Sequence, residues 1–136
     1  MRLEITRRAD LATRALLELA TRGTKTKAAD LAERVGASAG FLAQAMTPLV
    51  SRGWVRSEPG PTGGYLLAAD LSDVSVLSVI EAVEGPTDTA KCVLEDRACN
   101  GGGPCALHQP WSRARSQLLR ELEAIPLSSL AAGARP

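Results

Sequence analysis

Aromatic side chains make up only 3% of the chain: two Trp, one Tyr and one Phe in 136 residues. The core must therefore be built from Leu, Ala and Val, which favours helices packed closely on small side chains. No apolar run approaches the ~18 residues that a bilayer span needs. The N-terminus lacks the basic, apolar, small-residue order of a signal peptide, so the expectation is a cytoplasmic protein with no membrane partner. No one sign of charge dominates: 16 Lys+Arg face 15 Asp+Glu, a net of +1. There is one histidine and no C-x-x-C pair, which argues against acid–base or thiol–disulfide catalysis and against an enzyme. Three cysteines are too few and odd in number for a disulfide framework. The 45% apolar and 23% charged content is that of a globular chain, and the length is that of about one domain.

The balanced charge hides an asymmetry. Residues 1–66 hold ten basic and six acidic side chains, and residues 67–136 hold six and nine. A basic front half points to a polyanion as its partner. Leu11, Ala12, Ala15, Leu16 and Leu19 recur at helical spacing between a Thr6 cap and a Gly23 stop. Thr26 is placed to cap a short second helix through Leu31 and Val35, which ends at Gly36. Ser38 then caps a third, with Phe41, Leu42, Ala45, Met46 and Leu49 on one face, up to Gly53. Residues 26–53 thus read as helix, tight turn, helix, the unit whose second helix can enter a major groove. Pro48 is expected to bend or terminate that helix, because it removes a donor to the Gln44 carbonyl.

Past Gly53 the period changes. Trp54–Ser57 and Tyr65–Leu67 read as two short strands joined by Pro59-Gly-Pro-Thr-Gly-Gly64, a turn by composition. Helix-turn-helix followed by a hairpin is the order of a winged helix. A further helix runs through Leu77, Ile80 and Val83 to Gly85-Pro86. Helical spacing returns from Pro110, with Trp111, Ala114, Leu118, Leu122 and Ile125 as one stripe, and Leu127–Ala132 reads as one short turn. The expected fold is mostly α with a small β-hairpin: a winged helix-turn-helix over 1–70, then a loop and a long C-terminal helix over 71–136.

The loop between these helices has no apolar period and gathers the soft donors. It reads Cys92-x6-Cys99-x5-Cys105-x2-His108, with Gly101-Gly102-Gly103-Pro104 inside it. Three thiolates and one imidazole suit zinc or an iron–sulfur cluster. Zinc sites usually pair cysteines two to four residues apart, whereas these longer gaps fit a cluster whose ligands reach different irons.

This layout resembles the IscR/NsrR family of winged-helix repressors, the Rrf-type regulators. The resemblance runs from Met1-Arg2-Leu3 through the helix-turn-helix and the wing Gly63-Gly64-Tyr65-Leu66-Leu67 to Ile80-Glu81-Ala82-Val83-Glu84-Gly85 and the three cysteines. It implies a dimeric winged helix with the C-terminal helix at the dimer interface. The IscR-like pattern implies a 2Fe–2S cluster on Cys92, Cys99, Cys105 and His108. The NsrR-like pattern implies a 4Fe–4S cluster with Asp10 of the partner subunit as the alternative fourth ligand. The chain departs from the family in its x6 first gap, in Ala43 where IscR-like proteins carry an acid, and in Pro59 where the wing usually carries arginine.

The expected function is a cluster-dependent transcriptional regulator, a repressor, that responds to redox, iron–sulfur status or nitric oxide. Double-stranded operator DNA and a second copy of the chain are its partners. Ser38, Ala39, Gly40 and Gln44 lie in the first turns of the recognition helix, where base contacts arise. Lys25, Lys27, Arg52 and Arg56 are candidates for phosphates, and Thr62, Gly63 and Gly64 form the wing tip. The alternatives are a zinc-stabilised winged-helix DNA-binding protein and an iron–sulfur scaffold or carrier.

Overall fold

The computed structural model of the chain describes residues 1–94, 97 and 105–132. Helix α1 (Arg7–Arg22) is capped by Thr6, whose hydroxyl accepts the Ala9 amide at 3.1 Å, and it ends at Gly23 with a left-handed φ of 67°. Leu11, Ala12, Ala15, Leu16 and Leu19 form its buried face. Helix α2 (Ala28–Val35) buries Leu31, Ala32 and Val35 and stops at Gly36. Helix α3 (Ala39–Ser51) starts at Ser38, whose hydroxyl accepts the Phe41 amide at 3.2 Å, and buries Leu42, Ala45, Met46 and Leu49.

Two local expectations are corrected here. Thr26 does not cap α2: the cap position is Lys27, which gives no side-chain bond. Thr26 is instead buried against the hairpin. Pro48 does not terminate α3, which runs three residues past it. The lost donor is one hydrogen bond, and the burial of Ala45, Met46 and Leu49 on the same helix outweighs it.

Strands β1 (Val55–Glu58) and β2 (Gly64–Leu67) form an antiparallel hairpin with Val55 opposite Leu67 and Glu58 opposite Gly64. Thr26 adds one β-bridge to it: its amide donates to the Tyr65 carbonyl at 2.9 Å, and Tyr65 returns the bond at 2.8 Å. The wing is thereby fixed to the entry of α2.

A 3₁₀ turn (Leu71–Asp73) leads into α4 (Val76–Glu84), which is capped by Ser75 and ends at Gly85. Helix α5 (His108–Glu123) begins two residues before the expected Pro110. The chain then turns back. Val76 donates to the Ile125 carbonyl at 2.9 Å and Leu127 to the Val74 carbonyl at 2.7 Å, before the short α6 (Ser128–Ala132). This clasp buries Leu127 completely in the core shared by α1, α2, α3, β1 and α4.

The apolar stripe expected on α5 is split. Ser112, Arg115, Leu119, Leu122 and Ile125 form the half-buried face, while Trp111 at 36%, Ala114 and Leu118 at 44% exposure stand beside it in solvent. No residue of α5 is fully buried.

Candidate nucleic-acid interface and metal centre

The residues expected to read DNA stand open to solvent at the start of α3. Ser38, Ala39, Gly40, Ala43 and Gln44 are all exposed on the first turns of α3. Arg7 on α1 lies 5.7 Å from the centre of the Phe41 ring and supports this end of the helix, a contact between distant residues that no local pattern announces. At the other end, the Arg52 guanidinium lies 5.7 Å from the Trp54 ring. Arg56 is exposed on β1, and Lys27 is exposed at the entry to α2.

The wing explains its own glycines. A Cβ on Gly64 would overlap the Thr26 carbonyl, and one on Gly63 would overlap the Glu58 carbonyl and Pro59. Gly63 is buried and Gly64 half-buried, so the exposed tip is 59–62, including Thr62. Lys25 is bonded to Glu58 at 2.8 Å, and this pair holds the Glu58 carboxyl below the usual carboxylate range. Between wing and helix lies an open cleft of about 280 Å³, lined by Lys27, Ala28, Glu58, Gly60 and Gly64 among others.

Two of the four soft donors, Cys105 and His108, lie at the start of α5. His108 is the first residue of that helix, and its amide donates to the Cys105 carbonyl at 3.1 Å. Cys105 is half-buried and His108 exposed. Cys92 is half-buried, its sulfur accepts the Leu94 amide at 3.4 Å, and its own amide donates to the Arg97 carbonyl at 2.6 Å. Cys99 and the 101–104 turn lie outside the described residues. Among the described residues, no three His, Cys, Asp or Glu side chains converge as a metal-ligand group. Asp10, in the first turn of α1, is half-buried and bonded to Arg14 at 3.1 Å. Arg14 in turn donates to the Val35 carbonyl at 2.6 Å, beside the turn that leads into α3.

The loop's root is fastened to α1. Glu84, the last residue of α4, accepts the Thr6 amide at 2.9 Å and its hydroxyl at 3.1 Å, and Arg8 donates to the Val83 carbonyl at 2.9 Å. Further on, Asp88 accepts the Ala90 amide at 3.0 Å and pairs with Arg115 of α5 at 3.0 Å. These bonds, Ala90 first, hold the Asp88 carboxyl below its ordinary range, with a smaller contribution from His108.

Residues 5–133 match the sequence profile of Rrf2, described as an iron-dependent transcriptional regulator. The chain belongs to the Rrf2 family. This Rrf2 chain is 37% identical over 131 residues to the HTH-type transcriptional regulator IscR of Vibrio atlanticus (strain LGP32), covering 94% of this chain and 75% of that relative. Among solved structures, CymR, the global cysteine regulator of B. subtilis, aligns with a TM-score of 0.77 at 26% identity, over 98% of this chain and 100% of that one. IscR of T. potens shares the fold, with a TM-score of 0.73 at 23% identity over 98% of this chain and 89% of that one. The family resemblance and the winged-helix fold expected from the sequence are thus borne out, and the Rrf2 chain is a transcriptional regulator rather than an enzyme. No helix among the described residues is long and apolar enough to cross a membrane.

Proposed function

We propose that this Rrf2 regulator binds double-stranded operator DNA in the cytoplasm as a homodimer, and that an iron–sulfur cluster held beside α5 sets its affinity. The observation that carries the reading is the placement of the donors. Cys105 and His108 share the turn that opens α5, and Cys92 follows a turn tied to the same helix through Asp88 and Arg115. Half-burial of Cys92 and Cys105 limits solvent attack on thiolates, and the donor set is soft enough for iron–sulfur ligation. When bound, such a cluster supplies a centre whose oxidation, nitrosylation or loss changes the ligands' preferred arrangement. Both IscR-type and cysteine-regulating relatives share this fold, so the fold leaves the effector open and the donor set Cys92, Cys99, Cys105 and His108 supports the cluster.

His108 is favoured as fourth ligand, and with it a 2Fe–2S cluster. Asp10 is already engaged by Arg14, and recruiting it would cost that ion pair and disturb the grip of Arg14 on Val35. His108 stands exposed one helical turn from Cys105. A 4Fe–4S cluster completed by Asp10 of the partner subunit is the alternative. His108→Ala and Asp10→Ala, each reconstituted anaerobically and measured by Mössbauer spectroscopy, separate the two. Only His108→Ala is expected to change the iron signal, and the reverse result moves the assignment to Asp10.

On the DNA side, Gln44 is suited to bidentate bonding with adenine, with Ser38, Ala39 and Gly40 allowing close approach. Lys27, Arg52 and Arg56 meet phosphates. Thr62 touches the backbone from a tip shaped by Gly63 and Gly64. Lys25, engaged by Glu58, serves the wing rather than the duplex. Two such units in a homodimer would address half-sites about one turn of DNA apart.

A further inference from the structure

One side chain outside the proposed ligand set touches both limbs of the cysteine loop. Asp88 Oδ1 accepts the Ala90 amide at 3.0 Å and also meets Arg115 Nη1 at 3.0 Å. Ala90 has a φ of 61°, the left-handed region that an L side chain rarely adopts. The turn therefore needs the carboxylate to hold it, and Cys92 follows two residues later. Arg115 lies two turns along α5 from His108. Its side chain is only 20% exposed, on a helix without a fully buried residue, whereas Asp88 is 60% exposed. An arginine so covered is already restrained, so pairing costs it less side-chain freedom than at an open surface.

We propose that Asp88 and Arg115 form a latch that sets the distance between Cys92 and the Cys105–His108 turn, which makes Asp88 a positioning residue for the cluster without being a ligand. This rests on the cluster reading above. The carboxylate fixes the turn before the first thiol and grips the helix that bears the last two donors. Cys92 and the Cys105–His108 turn are then held in register before a metal binds, and a preorganised site releases its metal more slowly. The sequence hides this pairing, since 27 positions separate the two residues and neither belongs to a motif.

Asp88→Asn keeps an acceptor for Ala90 but removes the ion pair, and Arg115→Met removes it from the other side. In cluster-free protein, amide hydrogen exchange over 87–92 is expected to quicken about fivefold in either variant and no further in the double variant. In anaerobically reconstituted protein, iron loss to a chelator is expected to quicken by about the same factor, again without addition in the double variant. Unchanged exchange in both single variants, or effects that add, would overturn the latch. Wild-type iron loss in variants that still take up a cluster would overturn the positioning role and leave the cluster reading standing. A wild-type protein that takes up no cluster would overturn both, and the exchange data would show that the failure lay in the cluster reading and not in the Asp88–Arg115 contact.

Discussion

At Gly64 the wing and the helix-turn-helix come so close that no side chain fits. Its missing Cβ is the space in which the Thr26 carbonyl sits. Gly64→Ala should therefore cost about 1–3 kcal/mol, as overpacking does, and lower the thermal midpoint by several degrees. An unchanged midpoint would mean that the Thr26–Tyr65 bridge yields easily. The neighbouring Lys25–Glu58 pair makes the wing sensitive to acid. Glu58 titrates below its usual range because Lys25 bonds to it and adds its charge. A carboxyl with a depressed folded pKa gives stability that is present above its unfolded value and is lost as pH falls through the folded one. Wing docking should thus weaken only on acidification through and below the ordinary carboxylate range, and stay level between about pH 6 and 8. An NMR titration of the Glu58 carboxyl checks this, with Lys25→Met expected to return it toward the ordinary range. The composition of the turn at 59–64 was legible in the sequence, but its reason was not. Gly63 and Gly64 read as an exposed tip, and the structure packs them. Thr26 read as a cap, yet its place is set by Tyr65, 39 positions away.

Among the elements, α1 to α4 follow their local signals closely. Thr6, Ser38, Gly23, Gly36 and Gly85 stand where capping chemistry puts them. Pro48 shows the limit of local rules, since the packing around it outweighs one missing donor. The other elements depend on partners remote in the chain. The inward face of α5 is half polar, because Arg115 pairs with Asp88, so Trp111, Ala114 and Leu118 of the expected stripe stay exposed on the single chain while Leu122 and Ile125 are half-buried. The segment after α5 reads as a tail, but Leu127 lies fully in the core and its amide is bonded to Val74. Leu127→Ala is predicted to cost about 3 kcal/mol, measured by denaturant unfolding. A loss below about 1 kcal/mol, the scale of an ordinary surface change, would show that the clasp at 74–76 and 125–127 adds little. The fastening of Thr6 to Glu84 was equally invisible from sequence, since it joins the first helix to the residue just before the cysteine loop.

At the scale of the whole molecule, Trp111 and Leu118 leave an exposed apolar flank on α5, the face on which the proposed homodimer would close. Leu118→Glu is predicted to shift sedimentation from dimer to monomer and to weaken operator binding, and an unaltered dimer would move the interface elsewhere. Binding of a promoter fragment should fall steeply with salt, by a slope of about 0.9 for each phosphate contact. A flat salt response would remove Lys27, Arg52 and Arg56 from the interface. The family could be read from the ordered run of motifs, but the loop geometry around Asp88 could not, because charge pairs leave no spacing signature. Counting iron and acid-labile sulfide per chain in protein purified without oxygen decides whether a cluster governs operator binding. About two of each are expected for a 2Fe–2S cluster, lost together in Cys105→Ala. A colourless wild-type protein that holds neither and still binds its operator at full affinity would contradict cluster control of that binding.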